Sequence, residues 1–193
     1  MNSYTWILAV VFLGSALVRV QGYGNGAPPS ACDSMVPGHQ GSKPQTIASP
    51  YTVSVQVSSY TPGQTVNVTV RGTEDFRGLL LQARKAGTDE VVGTFQTPPS
   101  KFKFRPCPDG GANNGITHID TSTKNNMTFM WTAPSTGVGN VQFYGTVLKE
   151  KPTYWVKLTS SVISGEGGDS NGASSLLVHI SSVIGTVLLA KIL

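Results

Sequence analysis

The chain has 193 residues with 14 Lys and Arg against 10 Asp and Glu, and is rich in Gly. That length suits one domain, and the composition is neither disordered-acidic nor collagen-like. Setting aside Arg19 and Lys191, which lie in the two terminal segments discussed next, leaves an excess of only two positive charges. A nucleic-acid binder would carry a far stronger basic balance, so that class is excluded.

The first segment, Trp6 to Val18, reads "WILAVVFLGSALV" and is followed by Val20 and Gly22 at the small-residue positions of a cleavage site. It is a secretory signal peptide over residues 1–22, with Tyr23 as the expected mature start. It falls short of the roughly 20 residues a membrane span needs, which disfavours a retained signal anchor.

Residues 23–50 are rich in Gly, Pro and Ser and read as an extended, irregular lead-in held by Cys32. "YTVSVQV" then alternates strictly, with Tyr51, Val53, Val55 and Val57 on one face, as in a half-buried strand. Pro62 and Gly63 form a turn, and "TVNVTV" alternates again with Val66, Val68 and Val70 inward. "FRGLLLQAR" has a continuous apolar centre, as expected of a strand covered on both faces. "EVVGTF", "KFKFR", "NMTFMW", "NVQFYGTVL" and "YWVKLTSSV" complete the set, separated by the loop compositions "PCPDGGANNG" and "APSTGVG". About eight short strands with no helical period indicate an all-β, antiparallel immunoglobulin-like β-sandwich, with a closed barrel as the runner-up.

Two Asn-X-Thr sequons begin at Asn67 and Asn126. Strand alternation turns both outward, where a glycan needs to be, so N-glycosylation and register agree. Two cysteines, Cys32 and Cys107, occur in the mature part. An even count in an oxidising compartment suggests a disulfide, with two free thiols as the alternative. Two Cys without clustered His do not make a zinc site, and no metal or other cofactor is expected.

For catalysis the sequence offers little. His39 sits in a turn composition, "VPGHQG", and His118 in "THID" reads as a histidine beside a loop. No nucleophile elbow or phosphate loop accompanies them, and Glu74-Asp75 and Asp89-Glu90 fit solvated turns. An enzyme is not expected. "KFKFR" is more suggestive. As a strand it places Lys101, Lys103 and Arg105 on one face at a pitch of about 6.8 Å, with Phe102 and Phe104 inward. Cations at that spacing suit the phosphates or sulfates of a repeating polymer; the plainer reading is an edge strand guarded by charge. Trp155 shares a face with Lys157 and is a candidate aromatic contact beside a cation, against the alternative of burial.

The last segment, Leu176 to Leu193, is 18 apolar-rich residues, about 27 Å long as a helix. His179 and Lys191 interrupt it, which is costly within a span. Upstream lies "SGEGGDSNGASS". Small residues, a spacer and an apolar terminus together suggest a glycosylphosphatidylinositol (GPI) signal, removed on transfer to the anchor. Asn171 is the first choice of attachment residue, with Ser170 and Ser164 as alternatives. Residues 163–173 then form a flexible stalk, and 174–193 are discarded. The expected location is the outer face of the plasma membrane, with secretion as the alternative.

"GYGNGAPPSACDSMVPGH", "SPYTVSVQVSSYTPGQTVNVTVRG", "FRGLLLQAR", "VGTFQTPP", "TFMWTAP" and "GNVQFYGTVLKEKPTYWVKL" together resemble the reelin (reeler) domain over residues 23–162. They are most similar to its stand-alone form in the insect "putative defence proteins". The resemblance implies an immunoglobulin-like sandwich, a Cys32–Cys107 disulfide and a part in innate defence against bacteria. It transfers no catalytic or ligand-binding residue. The implied partners are microbial surface polymers such as lipopolysaccharide, or sulfated glycans; the competing reading is a structural or adhesion module with protein partners.

Overall fold

The computed structural model describes residues 23–167, apart from Gln40 and Asp109. The signal peptide, Asn171, Ser170 and the apolar C-terminal segment lie outside the described residues. Nine strands are formed among them: Tyr51–Val55 (β1), Thr65–Gly72 (β2), Gly78–Lys85 (β3), Thr94–Phe95 (β4), Phe102–Phe104 (β5), Gly115–His118 (β6), Met127–Thr132 (β7), Val141–Glu150 (β8) and Thr153–Thr159 (β9). They make two antiparallel sheets, ordered β1-β2-β7-β4 and β5-β6-β3-β8-β9. The expected all-β sandwich is what forms.

The alternating residues of β1, β2 and β7 build the core from the four-stranded side. Val53 pairs with Val70, Val68 with Phe129, and Val66 with Trp131. All six are buried, while Asn67, Thr65 and Thr128 between them face solvent. Trp131 is fully enclosed. Its indole N–H donates to the Val92 carbonyl at 3.0 Å, which satisfies the one polar atom such a ring brings into a core. Tyr60 and Phe143 meet the ring edge-on at centroid distances of 5.6 and 5.3 Å. Gly145 on β8 lets the sheets approach closely, since a Cβ there would lie 2.7 Å from Val53 Cγ2.

Strand β3 is the centre of the second sheet, flanked by β6 and β8. Gly78 to Arg84 are all buried, as the unbroken apolar run requires. Leu79, Leu81 and Ala83 belong to the inter-sheet core. Leu80 packs instead with Ala31 and Met35 of the lead-in, which therefore forms a layer over the outer face of this sheet. Within it Pro29–Ala31 makes a single 3₁₀ turn, and the Cys32–Cys107 disulfide, with Cα atoms 5.7 Å apart, ties the layer to the loop after β5.

Three expectations are corrected. Strand β6 falls where the sequence reads as loop: it contributes one core side chain, Ile116, and its other positions are glycine and buried polar residues whose hydrogen bonds are tertiary. His118 is the last residue of this strand, beside the loop that follows it. The stalk does not begin at residue 163. Ile163 is fully buried and pairs with Val141. Ser164 bonds through its backbone to Ser58 and Tyr60, and the Glu166 carbonyl accepts from the Gly139 amide at 2.8 Å. Ser164 is therefore part of the sandwich, which makes it unsuitable as an anchor-attachment residue.

The enclosed Trp131 indole predicts that Trp131→Ala costs about 3–5 kcal/mol, the range for removing a large core aromatic. Urea denaturation followed by circular dichroism measures it; a loss below 1 kcal/mol would contradict this packing.

Candidate ligand-binding site

The outer face of the five-stranded sheet carries polar side chains that the lead-in satisfies. The Thr117 hydroxyl donates to the Leu79 carbonyl at 2.8 Å and accepts from the Ala27 amide at 2.9 Å. The Thr146 hydroxyl donates to the Met35 carbonyl at 2.8 Å. Arg84, 1% exposed, donates to the carbonyls of Cys32 and Asp33 at 2.7 and 3.0 Å and to Gln82 Oε1. Its counter-charge is Asp89, which also receives Lys157. Asp89 reads in sequence as part of a solvated turn; it pairs with Arg84 across that turn and with Lys157 by a tertiary contact. The bond to Lys157 is the main cause holding its carboxyl below the ordinary value.

Strand β5 is one edge of this sheet. The expected cationic face forms in part. Phe102 is buried and Phe104 packs against the core, while Lys103 points to the lead-in side and donates to Asn25 Oδ1 at 2.8 Å. Arg105 follows the strand and is partly buried, with Nε lacking any partner among the described residues. Lys101 precedes the strand with φ at +74°, so strand alternation does not govern it; its Nζ donates to the Thr123 carbonyl at 3.0 Å. None of the three forms an ion pair among the described residues. Trp155 is corrected outright. It is 6% exposed, its ring stacks edge-on to Tyr51 at 5.4 Å, and its N–H donates to the Ile47 carbonyl. Register shifts between β8 and β9 break the simple parity with Lys157, so no aromatic of β9 joins the cations.

Sequence reasoning missed a second feature. A cleft of about 420 Å³ opens between the lead-in, at Tyr23 and His39, and the residue before β3 and the β8–β9 turn, at Arg77, Glu150 and Lys151. A smaller apolar cavity of about 30 Å³, lined by Met35, Leu79 and Leu80 among others, adjoins it and shares Tyr23, His39, His118 and Leu148 with it. The two histidines of the described chain, far apart in sequence, thus line one site. His39 Nδ1 bonds the Lys151 carbonyl at 2.9 Å. His118 Nδ1 lies 3.2 Å from the Leu79 amide, which donates to it, and Nε2 donates to the Tyr23 carbonyl at 3.2 Å. Both bonds form together in the neutral tautomer with hydrogen on Nε2; Nδ1 also lies 3.3 Å from the Leu79 carbonyl. Neighbouring Asp120 is pulled down to about 2, first by the Ser122 hydroxyl and then by Lys124. Among the described residues no three His, Cys, Asp or Glu side chains converge to hold a metal ion.

Both sequon asparagines are exposed. Asn67 stands on the solvent face of β2, and Asn126, just before β7, has φ at +51°, a left-handed conformation that asparagine tolerates.

Residues 30–170 match the Reeler domain. The chain is 38% identical over 164 residues to "Putative defense protein 3" of Antheraea mylitta, covering 83% of this chain and 96% of that one. It is 32% identical over 178 residues to "Putative ferric-chelate reductase 1" of Danio rerio, spanning 91% of this chain but 31% of that longer protein. Its fold is similar to the crystal structure of the human F-spondin reeler domain, with a TM-score of 0.54 at 20% identity over 70% of this chain and 99% of that one. The chain belongs to the Reeler domain family.

Burial is the largest effect on His118 and lowers its pKa below the usual 6.5, while the carbonyls of Leu79, 3.3 Å from Nδ1, and of Tyr23 act the other way and Lys124 and Lys103 add to the lowering. The unfolded chain therefore takes up a proton first. The stability from neutral, buried His118 is fully present above pH about 6.5 and declines as pH falls from there toward the folded value. The slope is bounded by about 1.4 kcal/mol per pH unit for one proton. Urea midpoints between pH 7.5 and 5 should fall, and His118→Gln, less stable at pH 7.5, should flatten that fall; an equal slope in both proteins would rule His118 out as its source.

Proposed function

We propose that this chain is an extracellular defence protein that recognises anionic polymers of microbial surfaces and is held at the cell surface by a GPI anchor. The observation that carries the defence role is the similarity to stand-alone insect proteins named for defence, over 96% of the length of the relative described above. Extracellular residence is supported by the Cys32–Cys107 disulfide, which persists in oxidising compartments.

Anion recognition rests on the β5 edge. Lys101, Lys103 and Arg105 offer three cations with no carboxylate partner among the described residues. The guanidinium of Arg105 keeps a buried donor free, and a planar guanidinium suits bidentate contact with phosphate or sulfate. Lipopolysaccharide and sulfated glycans share that chemistry. Trp155 takes no part in this site.

Changing Lys101, Lys103 and Arg105 together to Ala should weaken binding to immobilised lipopolysaccharide or heparin about tenfold, as expected of three solvent-accessible contacts of a few tenths to one kcal/mol each. The remaining binding should lose most of its salt dependence; unaltered affinity and salt slope would remove the β5 edge from the proposal. The anchor is tested separately. Phosphatidylinositol-specific phospholipase C should release the protein from intact cells, and Asn171→Pro should reduce its surface display. Retention after phospholipase treatment, with the final apolar residues still present by mass spectrometry, would replace the anchor with a membrane span.

A further inference from the structure

The cleft between the lead-in and the β8–β9 turn is a second site, chemically unlike the β5 edge. Its volume of about 420 Å³ lies within the roughly 300–1,000 Å³ of small-molecule sites. Its charged groups are unequal: Arg77 and Lys151 supply two cations and Glu150 one carboxylate, and none of them is in an ion pair among the described residues. The Tyr23 ring, 40% exposed, forms one wall. The adjoining apolar cavity of about 30 Å³ exceeds the 10–15 Å³ that one water occupies. It has room for a methyl or acetyl group but not for an acyl chain.

We propose that this cleft binds an acidic, N-acylated amino sugar. The carboxylate of the ligand meets Arg77 and Lys151, its hydroxyls donate to Glu150, its ring lies against Tyr23, and the acyl methyl enters the cavity over Leu79 and Leu80. A neutral sugar leaves both cations unmatched. A bare phosphate or sulfate uses neither the aromatic wall nor the apolar cavity. A lipid tail has nowhere to go. The proposal holds whichever polymer the β5 edge meets, because it depends on a different set of side chains.

The test is calorimetric titration of the purified mature protein with four probes: N-acetylmuramic acid, N-acetylneuraminic acid, N-acetylglucosamine and muramic acid. The first two carry both the carboxylate and the acetyl group, and come from bacterial walls and animal glycans respectively. At least one of them should bind ten times or more tightly than N-acetylglucosamine, which lacks the acid, and than muramic acid, which lacks the acetyl. The tighter of the two identifies the source. Arg77→Gln with Lys151→Gln, both exposed positions whose side chains hold no other element, should erase the preference for the acid while leaving the thermal midpoint unchanged. Absence of binding by both acidic N-acetyl sugars, equal binding of all four probes, or an unaltered preference in the double variant would overturn the proposal.

Discussion

The structure depends on one buried cation. Arg84 sits in the middle of β3, 1% exposed, on the face of the sheet turned away from the sandwich core. A guanidinium removed from water is costly unless nearly every donor is matched. Here the matches come from the lead-in carbonyls of Cys32 and Asp33, from Gln82, and from Asp89 on the following turn. The lead-in is thus not a tail laid on a finished domain. Without it Arg84 would face solvent, and Leu80 would lose its packing against Ala31 and Met35. The disulfide fixes the same segment covalently at Cys32, the residue whose carbonyl Arg84 binds, so the two constraints reinforce each other at one point. Gln82 joins them, donating to Cys107 Sγ at 2.9 Å while accepting from Arg84.

This explains which parts of the fold were legible. In β1, β2 and β7 one face meets the core and the other meets water, so apolar and polar residues alternate and the register can be read directly. In β3 both faces are covered. Its apolar run reads as a buried strand, but nothing in the run says that residues 27–36 do the covering. Strand β6 is harder still. Thr117 and His118 are buried and satisfied by groups tens of residues away, Leu79, Ala27 and Tyr23, and burial paid for by such distant bonds leaves no periodic trace. Lys101 and Trp155 were misplaced for backbone reasons, a positive φ in one case and a shifted register in the other. The disulfide was legible because the chain offers so few cysteines. The cleft was not, because its walls come from five separate stretches of sequence.

The two sheets also divide the surface. On the four-stranded sheet the solvent face carries Thr65, Asn67, Thr69, Thr128 and Thr132, with hydroxyl pairs such as Thr69–Thr128 at 2.9 Å. A glycan at Asn67 would project from the middle of that face. The β5 edge and the cleft belong to the other sheet and its lead-in layer, so glycosylation there would leave both open. The Asn67 sequon therefore does not compete with the candidate ligand surfaces.

Finally, the cleft and the fold share components. His118 joins the β3 amide of Leu79 to the Tyr23 carbonyl, and His39 joins the other end of the lead-in to the β8–β9 turn through the Lys151 carbonyl. One wall of the cleft is therefore held in place by the same bonds that close the lead-in over the sheet. Protonating His118 would both bury a charge near Lys124 and Lys103 and remove the acceptor for Leu79. Loosening at that point would move Tyr23 before it disturbed the inter-sheet core, because Trp131 and its neighbours pack on the opposite face of β3. Ligand geometry at this end of the molecule is thus coupled to the lead-in layer and largely insulated from the sandwich itself.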